Sequence, residues 1–177
     1  MKLKPYLLLL TIMLLVNQFL IAQTFEVEGI AYNITSDIEP YTVEISSNTP
    51  DYSGEITIPN QVLFADILYA VTSIGDYSFS GSSELTGITM PNTILSIGSW
   101  AFSDCSSLES LVFSNSLVTI NDFSFNRCLS VSQFDFPVSL DTIGSSVFTH
   151  CSGLETFEVP ENVRFLGDFR LNRQNGC

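Results

Sequence analysis

Three cysteines recur at one spacing, and they are the first residues whose chemistry has to be weighed. Cys105, Cys128 and Cys151 are each 23 residues apart. In a chain that repeats with that period they stack in one line, with α-carbons ~4.8 Å apart, which lies within disulfide range. A straight line does not converge on a metal, because zinc takes four ligands, or three and an open position, around one point. We therefore expect buried, inert thiols, with a disulfide between neighbours as the alternative, and neither a metal nor a cofactor.

The remaining residues with reactive side chains show no arrangement in the sequence that is typical of an active site. His150 is the single histidine, and the repeat described next places it in a surface turn, without the partner that a catalytic base needs. The carboxylates of Glu155 and Glu158 fall on strand neighbours with no sign of a cleft. The sequence therefore predicts a protein that is not an enzyme.

The cysteine spacing belongs to a repeat that covers most of the chain. Residues 71–93, 94–116, 117–139 and 140–162 align as four rows, and a fifth row begins at Val163. A coil of this kind cannot bury its own apolar edge, so coils must stack and turn their shared positions into continuous ladders. The expected ladders are Ile74, Ile97, Ile120, Ile143 and Leu166; Phe79, Phe102, Phe125, Phe148 and Leu171; and Leu85, Leu108, Val131 and Leu154.

Each row also predicts local structure. Apolar residues alternate in pairs near the end of every row, which is the period of a half-buried strand, and short helical or 3₁₀ turns are expected around residues 77–81 and their equivalents. A further column holds glycine in four rows, which suits a backbone position with positive φ. Its members are Gly75, Gly98, Gly144 and Gly167, with Asn121 in the third row.

A second aromatic column, Tyr77, Trp100 and Phe123, lies two residues before the phenylalanine ladder. Its members either belong to the core or form a platform on which sugars or bases stack. For the ladder of Phe102, Phe125 and Phe148, burial in the core is a sufficient interpretation.

The outward positions of the predicted strands form the candidate binding surface. They change from row to row while the ladders stay fixed, as expected of a recognition face, although a plain solvent face would vary likewise. Repeat proteins present such extended faces to their partners. The candidate residues are Thr89, Val112, Gln133, Asp135, Thr156 and Glu158.

Composition and the N-terminus indicate an exported, acidic protein. Residues 1–22 combine Lys2 and Lys4 with an apolar run that ends at Ala22, as in a signal peptide; an uncleaved membrane anchor is the alternative. Cleavage leaves four arginines against 19 acidic residues, a net charge of about 4 − 19 = −15. Such a surface repels nucleic acid and anionic membranes, so we expect neither as a partner and no membrane insertion after cleavage.

The two ends of the repeat differ from its middle. Residues 25–34 and 41–45 alternate and predict a β-hairpin cap within residues 23–53, and an insert at residues 63–71 predicts an extra ribbon or a protruding loop. The fifth row stops at Cys177 and carries Arg164, Arg170 and Arg173. Charge on an exposed edge discourages pairing. The other interpretations are weak end-to-end self-association of this basic tip with an acidic body, or a truncated chain.

The rows VTSIGDYSFSGSSELTGITMP and ILSIGSWAFSDCSSLESLVF closely resemble the BspA-like class of leucine-rich repeats. The resemblance implies a leucine-rich-repeat solenoid of the α/β horseshoe class, β-rich, with a right-handed stack of about five 23-residue coils over residues 54–177. It also implies a secreted or cell-surface bacterial protein that binds an extracellular protein or glycan, such as host matrix or another cell. A structural spacer without a ligand, or a fragment of a larger surface protein, is the alternative function.

Overall fold

The computed structural model describes residues 24–47, 51–155 and 157–168. The expected signal peptide at residues 1–22 lies outside these ranges, as do Thr156, Arg170, Leu171, Arg173 and Cys177. Twelve strands occur in the described residues, and they run in chain order as follows: β1 Thr24–Val27, β2 Ile30–Ser36, β3 Thr42–Ile45, β4 Ser53–Thr57, β5 Gln61–Phe64, β6 Ile67–Ile74, β7 Glu84–Thr89, β8 Ser96–Ile97, β9 Ser110–Val112, β10 Thr119–Ile120, β11 Thr142–Ile143 and β12 Phe165–Leu166.

The larger sheet follows the isoleucine ladder through the stack. Its order is β1-β2-β3-β6-β8-β10-β11-β12, with β5 joined to β6. From β6 onward the ladder strands are parallel, and Ile97 pairs with Ile120, which pairs with Ile143. Each step is 23 residues, so the predicted column is a column in space. No strand was predicted at this ladder, so these strands are an addition to the prediction.

The smaller sheet carries the predicted outward face. It has the order β4-β7-β9, and all of its pairs are parallel. We expected a strand in every row, which is wrong for rows three and four: residues 133–136 and 157–159 form no regular strand. A main-chain hydrogen bond from Glu155 N–H to Ser132 C=O (3.1 Å) still links these two rows.

The core lies between the two sheets and is built from the ladders. The side chains of Ile97, Ile120 and Ile143 are buried, and Phe102, Phe125 and Phe148 are buried beside them. The phenylalanine rings stack almost parallel, with centroids 5.1 Å apart between Phe102 and Phe125. Burial of each large apolar side chain stabilises the fold by ~1.5–3 kcal/mol, so every coil depends on its neighbours for most of its stability.

The expected helical turns are absent from the described residues. Alternate N–H groups of each turn instead donate to the following coil: those of Tyr77, Phe79 and Gly81 bond to the carbonyls of Ser99, Ala101 and Ser103 at 2.8–3.0 Å. The N–H groups between them close local four-residue turns, such as the bond from Ser80 N–H to the carbonyl of Tyr77 at 3.1 Å. A helix directs all of its N–H groups along its own axis, so it would leave the bonds between coils unmade.

The glycine column was predicted to need positive φ, and this interpretation is wrong. Gly75, Gly98, Gly144 and Gly167 do not have positive φ. A β-carbon added at Gly98 would lie 2.5 Å from the amide nitrogen of Asp76 in the preceding coil, and one at Gly144 would lie 2.6 Å from that of Asp122. Glycine is required here because two backbones approach closely.

Positive φ occurs instead at two other columns of the turn. The aromatic column has φ of 58°, 58° and 56° at Tyr77, Trp100 and Phe123, with Ser146 at 56°. The second column holds Gly81 in the first row, and then Asp104, Arg127 and His150 with φ of 61–62°.

The N-terminal segment is a three-stranded antiparallel meander rather than the two-stranded hairpin that was expected. Glu28 and Gly29, both with positive φ, turn the chain between β1 and β2. Strand β3 then pairs antiparallel with β2 and parallel with β6, which joins the meander to the first coil. The predicted insert is a ribbon, since β5 and the first half of β6 form an antiparallel hairpin.

Candidate interaction surface

The outward positions of the small sheet form two columns, which we call the strand face, and all of their members named here are exposed except Gly87. Register places Thr57 beside Thr89 and Thr89 beside Val112, and Asp135 and Glu158 continue this first column at the 23-residue period. The second column holds Glu55, Gly87, Ser110 and Gln133. Neighbouring strands in a sheet are ~4.8 Å apart, so each column is a row of closely spaced side chains.

The predicted site residues within the described ranges lie on this face, and all are exposed. Val112 is 51% exposed at its centre, and Thr89, Gln133, Asp135 and Glu158 are exposed around it. Thr156, the remaining predicted residue, lies outside the described residues. The structure adds Glu55 and Thr57, which sequence reasoning missed. A signal for them exists in the sequence, because Ile56 and Ile58 alternate before Pro59 in the way that Ile88 and Met90 alternate before Pro91.

Two residues of the strand face contact each other. The side-chain amide of Gln133 donates to the two carboxylate oxygens of Asp135 at 3.4 and 3.2 Å. The pair fixes one end of the face as an acceptor-rich patch, next to the exposed carboxylate of Glu158. Hydroxyl and apolar groups follow toward the other end, at Thr89 and Val112. The face can therefore offer hydrogen bonds to a partner along its whole length.

Aromatic side chains support this end of the strand face from below. Phe113 and Phe134 are buried, and the Phe134 ring lies 4.7 Å from Phe148 and 5.2 Å from Phe125, measured between centroids. These contacts connect the residues behind the face to the phenylalanine ladder. Rows three and four are therefore held by side-chain packing where regular strand pairing has ended.

The second aromatic column lies on the turn side, away from the strand face. Tyr77 is 56% exposed, while Trp100 and Phe123 are half-buried. The three rings are nearly parallel, with centroid distances of 6.3 Å from Tyr77 to Trp100 and 4.3 Å from Trp100 to Phe123. Because the rings stack on one another, the faces between them are already covered, and the column offers mainly ring edges to a ligand.

The cysteine column is buried, and its thiols are unreactive. The thiols of Cys105, Cys128 and Cys151 are free and donate to the carbonyls of Phe79, Phe102 and Phe125 at 3.0–3.1 Å. Burial raises the pKa of Cys105 and of Cys151 to about 12, and it raises the pKa of Cys128 well above its ordinary value. The thiols therefore stay protonated at neutral pH, and a protonated thiol is neither a nucleophile nor a metal ligand.

Other candidate chemistry is equally sparse in the described part of the chain. His150 is exposed in a turn. The ion pair between Arg127 and Asp104 is 2.8 Å long, and both side chains are more than half exposed. Residues 24–47, 51–155 and 157–168 hold no group of three or more histidine, cysteine or acidic residues that suits a metal ion. None of their segments is a helix long and apolar enough to cross a membrane.

Comparison with known proteins agrees with this architecture. A sequence model of the BspA type leucine rich repeat region matches residues 55–175 in six copies. A leucine rich repeat protein of T. pallidum superimposes with a TM-score of 0.72 at 24% identity, covering 82% of this chain and 64% of that one. A leucine-rich repeat protein of Bacteroides ovatus gives 0.72 at 32% identity, covering 81% of this chain and 37% of that one.

A leucine rich cell surface protein of Faecalibacterium prausnitzii shows the same fold, with a TM-score of 0.59 at 22% identity, and covers 80% of this chain and 44% of that one. This chain therefore spans less than two thirds of each of these three proteins. No curated protein sequence matches it.

Proposed function

The chain belongs to the BspA type leucine-rich-repeat family, and from that premise we propose that it is a secreted or cell-surface module that binds an extracellular protein or glycan through the strand face. The family fits a binding role. The binding residues that we propose are Thr89, Val112, Gln133, Asp135, Thr156 and Glu158.

One observation carries this proposal. The strand face is exposed at every described position named above except Gly87, and its outward pair of residues changes from coil to coil, whereas the ladders beneath it repeat. Variation over a rigid, regular support is how repeat proteins build specificity without changing their fold. Ligand binding by this face requires no catalytic group, and the absence of enzyme chemistry is part of the proposal.

The chemistry of the face defines the kind of partner. Asp135, Glu158 and Glu55 make it acidic, and of the basic residues only Arg127 and Arg164 lie in the described ranges. Opposite charge on a partner would speed the encounter and fix its orientation more than it would raise affinity. The expected partner surface is therefore a polar one with basic or hydrogen-bond-donating groups, which excludes anionic lipid and nucleic acid.

A binding panel tests the proposal. The purified full chain is titrated against immobilised matrix proteins and glycans at physiological salt. A saturable signal that is weakened in the Asp135→Asn, Glu158→Gln protein supports binding through the strand face. The charge-matched Asp37→Asn, Glu39→Gln protein is the control, since both of those residues are exposed in the loop between β2 and β3. A folded, monodisperse protein that binds no member of the panel would instead favour the structural spacer.

A further inference from the structure

A cleft of about 780 Å³ separates the N-terminal meander from the small sheet. One wall is the β1–β2 hairpin with Glu26 and Glu28, and the other is β4 with Glu55 and Thr57; Val62 of β5 lies at one end. The volume falls within the ~300–1,000 Å³ that is usual for ligand sites. The cleft lies at the opposite end of the small sheet from Asp135 and Glu158.

The wall formed by β4 is an open strand edge. Strand β4 is the first of three in its sheet and pairs with β7 on one side only, within the described residues. The N–H of Ile58 donates to the carbonyl of Thr89 at 3.0 Å. Main-chain groups alternate in direction along a strand, so those of Ile56 also face β7, and those of Glu55 and Thr57 face the cleft.

The side chains around this edge carry one sign of charge. Four carboxylates line the cleft, from Glu26, Glu28, Asp51 and Glu55, and its lining contains no lysine, arginine or histidine. Like charges held around a concave, low-dielectric wall focus their field on the space between them. An occupant with positive charge would relieve their mutual repulsion.

The floor of the cleft is rigid and partly apolar. Tyr52 is buried, and its hydroxyl donates to the carbonyl of Ser46 at 2.8 Å and accepts from the N–H of Ala31 at 3.0 Å. Burial, with Tyr52 and Glu28 adding to it, raises the pKa of Tyr32 to about 12. Burial also raises the pKa of Tyr52, so both tyrosines remain neutral, and with the buried Val62 they give the cleft an uncharged, largely apolar floor.

We propose that this cleft binds an extended basic peptide segment of another protein, which adds as a strand to the outer edge of β4. Strand addition of this kind takes affinity from main-chain hydrogen bonds and specificity from alternate side chains. Alternate residues of the added strand point to opposite faces. Basic residues then meet the carboxylates of Glu55 and the hairpin, while the residues between them meet the floor. This site shares Glu55 and Thr57 with the first-coil end of the strand face, but it uses the main-chain edge of β4 and the β1–β2 hairpin and goes beyond the function proposed above.

The first test compares peptides of one composition. A fluorescent heptapeptide that alternates lysine and valine is titrated into the full chain, beside a peptide with the same residues grouped in two blocks. The alternating peptide should bind saturably and several-fold more tightly. Equal affinity for the two peptides would mean that the cleft recognises only the net charge of a peptide, and would overturn strand addition.

Two variants, each with a control variant, then distinguish the contribution of side-chain charge to peptide affinity from that of main-chain hydrogen bonds. Glu26→Gln with Glu28→Gln should weaken the alternating peptide by about 1.5- to 5-fold for each charge lost, and Asp135→Asn with Glu158→Gln should leave its affinity unchanged. Thr57→Pro removes an N–H that faces the cleft and not β7, and proline is tolerated at such an edge position. It should abolish binding, whereas Thr57→Val, which keeps the N–H, should not.

Amide hydrogen exchange gives a readout that does not depend on any variant folding. On addition of the alternating peptide, the amides of Glu55 and Thr57 should exchange more slowly, while that of Ile58, already bonded to β7, should not change. Unchanged exchange at Glu55 and Thr57 with the peptide bound would contradict the proposal. It would leave the strand-face function untouched, because that function is tested with other ligands and other variants.

Discussion

Removal of one ring from the phenylalanine ladder should destabilise the protein far more than removal of a ring from the neighbouring aromatic column. Phe125 is fully buried. Its ring lies 5.1 Å from Phe102, 5.2 Å from Phe134 and 6.2 Å from Phe148, measured between centroids. Because these neighbours belong to three different coils, the cavity left by Phe125→Ala cannot be filled by a shift of one side chain.

The expected loss for Phe125→Ala is ~3–5 kcal/mol of unfolding free energy. The matched control is Phe123→Ala in the same coil. Phe123 is half-buried and stacks on Trp100 at 4.3 Å, so its truncation should remove only ~1–2 kcal/mol.

Urea unfolding followed by far-ultraviolet circular dichroism measures both losses. With a slope of ~2 kcal/mol per molar urea, Phe125→Ala should lower the midpoint by ~1.5–2.5 M and the control by less than ~1 M. A similar shift for the two proteins, or none for Phe125→Ala, would refute the assignment of the ladder as the main source of stability.

Three further predictions concern the turns, the glycine column and the thiols. His150→Gly should raise stability by ~0.5–1 kcal/mol in thermal unfolding, because His150 has φ of 62° and Gly81 fills the same column; the control Ser152→Gly should lower it. Gly98→Ala should lower stability by ~1–3 kcal/mol, since the added carbon meets backbone at 2.5 Å. Gly87→Ala should have little effect, because its added carbon meets the flexible Glu55 side chain at 3.2 Å and Ser110 at ordinary contact distances of 3.4 and 3.7 Å. The buried thiols should make the protein unstable to alkali: their folded pKa is raised from 9.0 to about 12 at Cys105 and Cys151, so their contribution is complete below about pH 9 and is lost as pH rises toward 12. Unfolding midpoints measured from pH 7 to 11 should show this loss of stability. Replacement of Cys105, Cys128 and Cys151 by serine, the residue at position 82 of the same column, should make the loss that begins near pH 9 smaller. An unchanged dependence of the midpoint on pH in that variant would contradict the prediction.

The ladders could be predicted from the sequence because their chemistry repeats without exception in the first four rows. Every fourth-row residue of the isoleucine and phenylalanine columns has the same type as its predecessors, so burial follows from stacking alone. The exposure of Thr89, Val112, Gln133, Asp135 and Glu158 followed from the same register by alternation along a strand.

The local conformation of the turns could not be predicted in this way. Positive φ falls on Tyr77, Trp100 and Phe123, residue types that rarely adopt it, because the hydrogen bonds between coils impose one backbone path on every row. Glycine is required at Gly75, Gly98, Gly144 and Gly167 because the backbone of the preceding coil lies so close. The sequence of a single row does not reveal that distance. Residue type therefore indicated neither the positive φ of the aromatic column nor the close backbone approach at the glycine column.

The cleft beside β4 was also beyond sequence reasoning. Its carboxylates come from Glu26, Glu28, Asp51 and Glu55, which lie in two stretches of chain, residues 26–28 and 51–55, without any repeat relationship. They share one space only because the meander pairs with β6 in one sheet while β4 pairs with β7 in the other. Such a juxtaposition depends on the packing of the cap and leaves no periodic signal.

A single pair of substitutions tests most directly whether the strand face is the binding surface. Val112 and Leu95 are both exposed apolar residues, at 51% and 49%. Val112 lies in β9 of the small sheet, whereas Leu95 directly precedes β8 of the larger sheet. Val112→Arg places a bulky charge at the centre of the strand face, and Leu95→Arg makes a comparable change beside β8. We predict that, at equal thermal stability, Val112→Arg loses affinity for the extracellular ligand identified in the panel while Leu95→Arg retains it. Full binding by Val112→Arg, or loss of binding only in Leu95→Arg, would contradict the account.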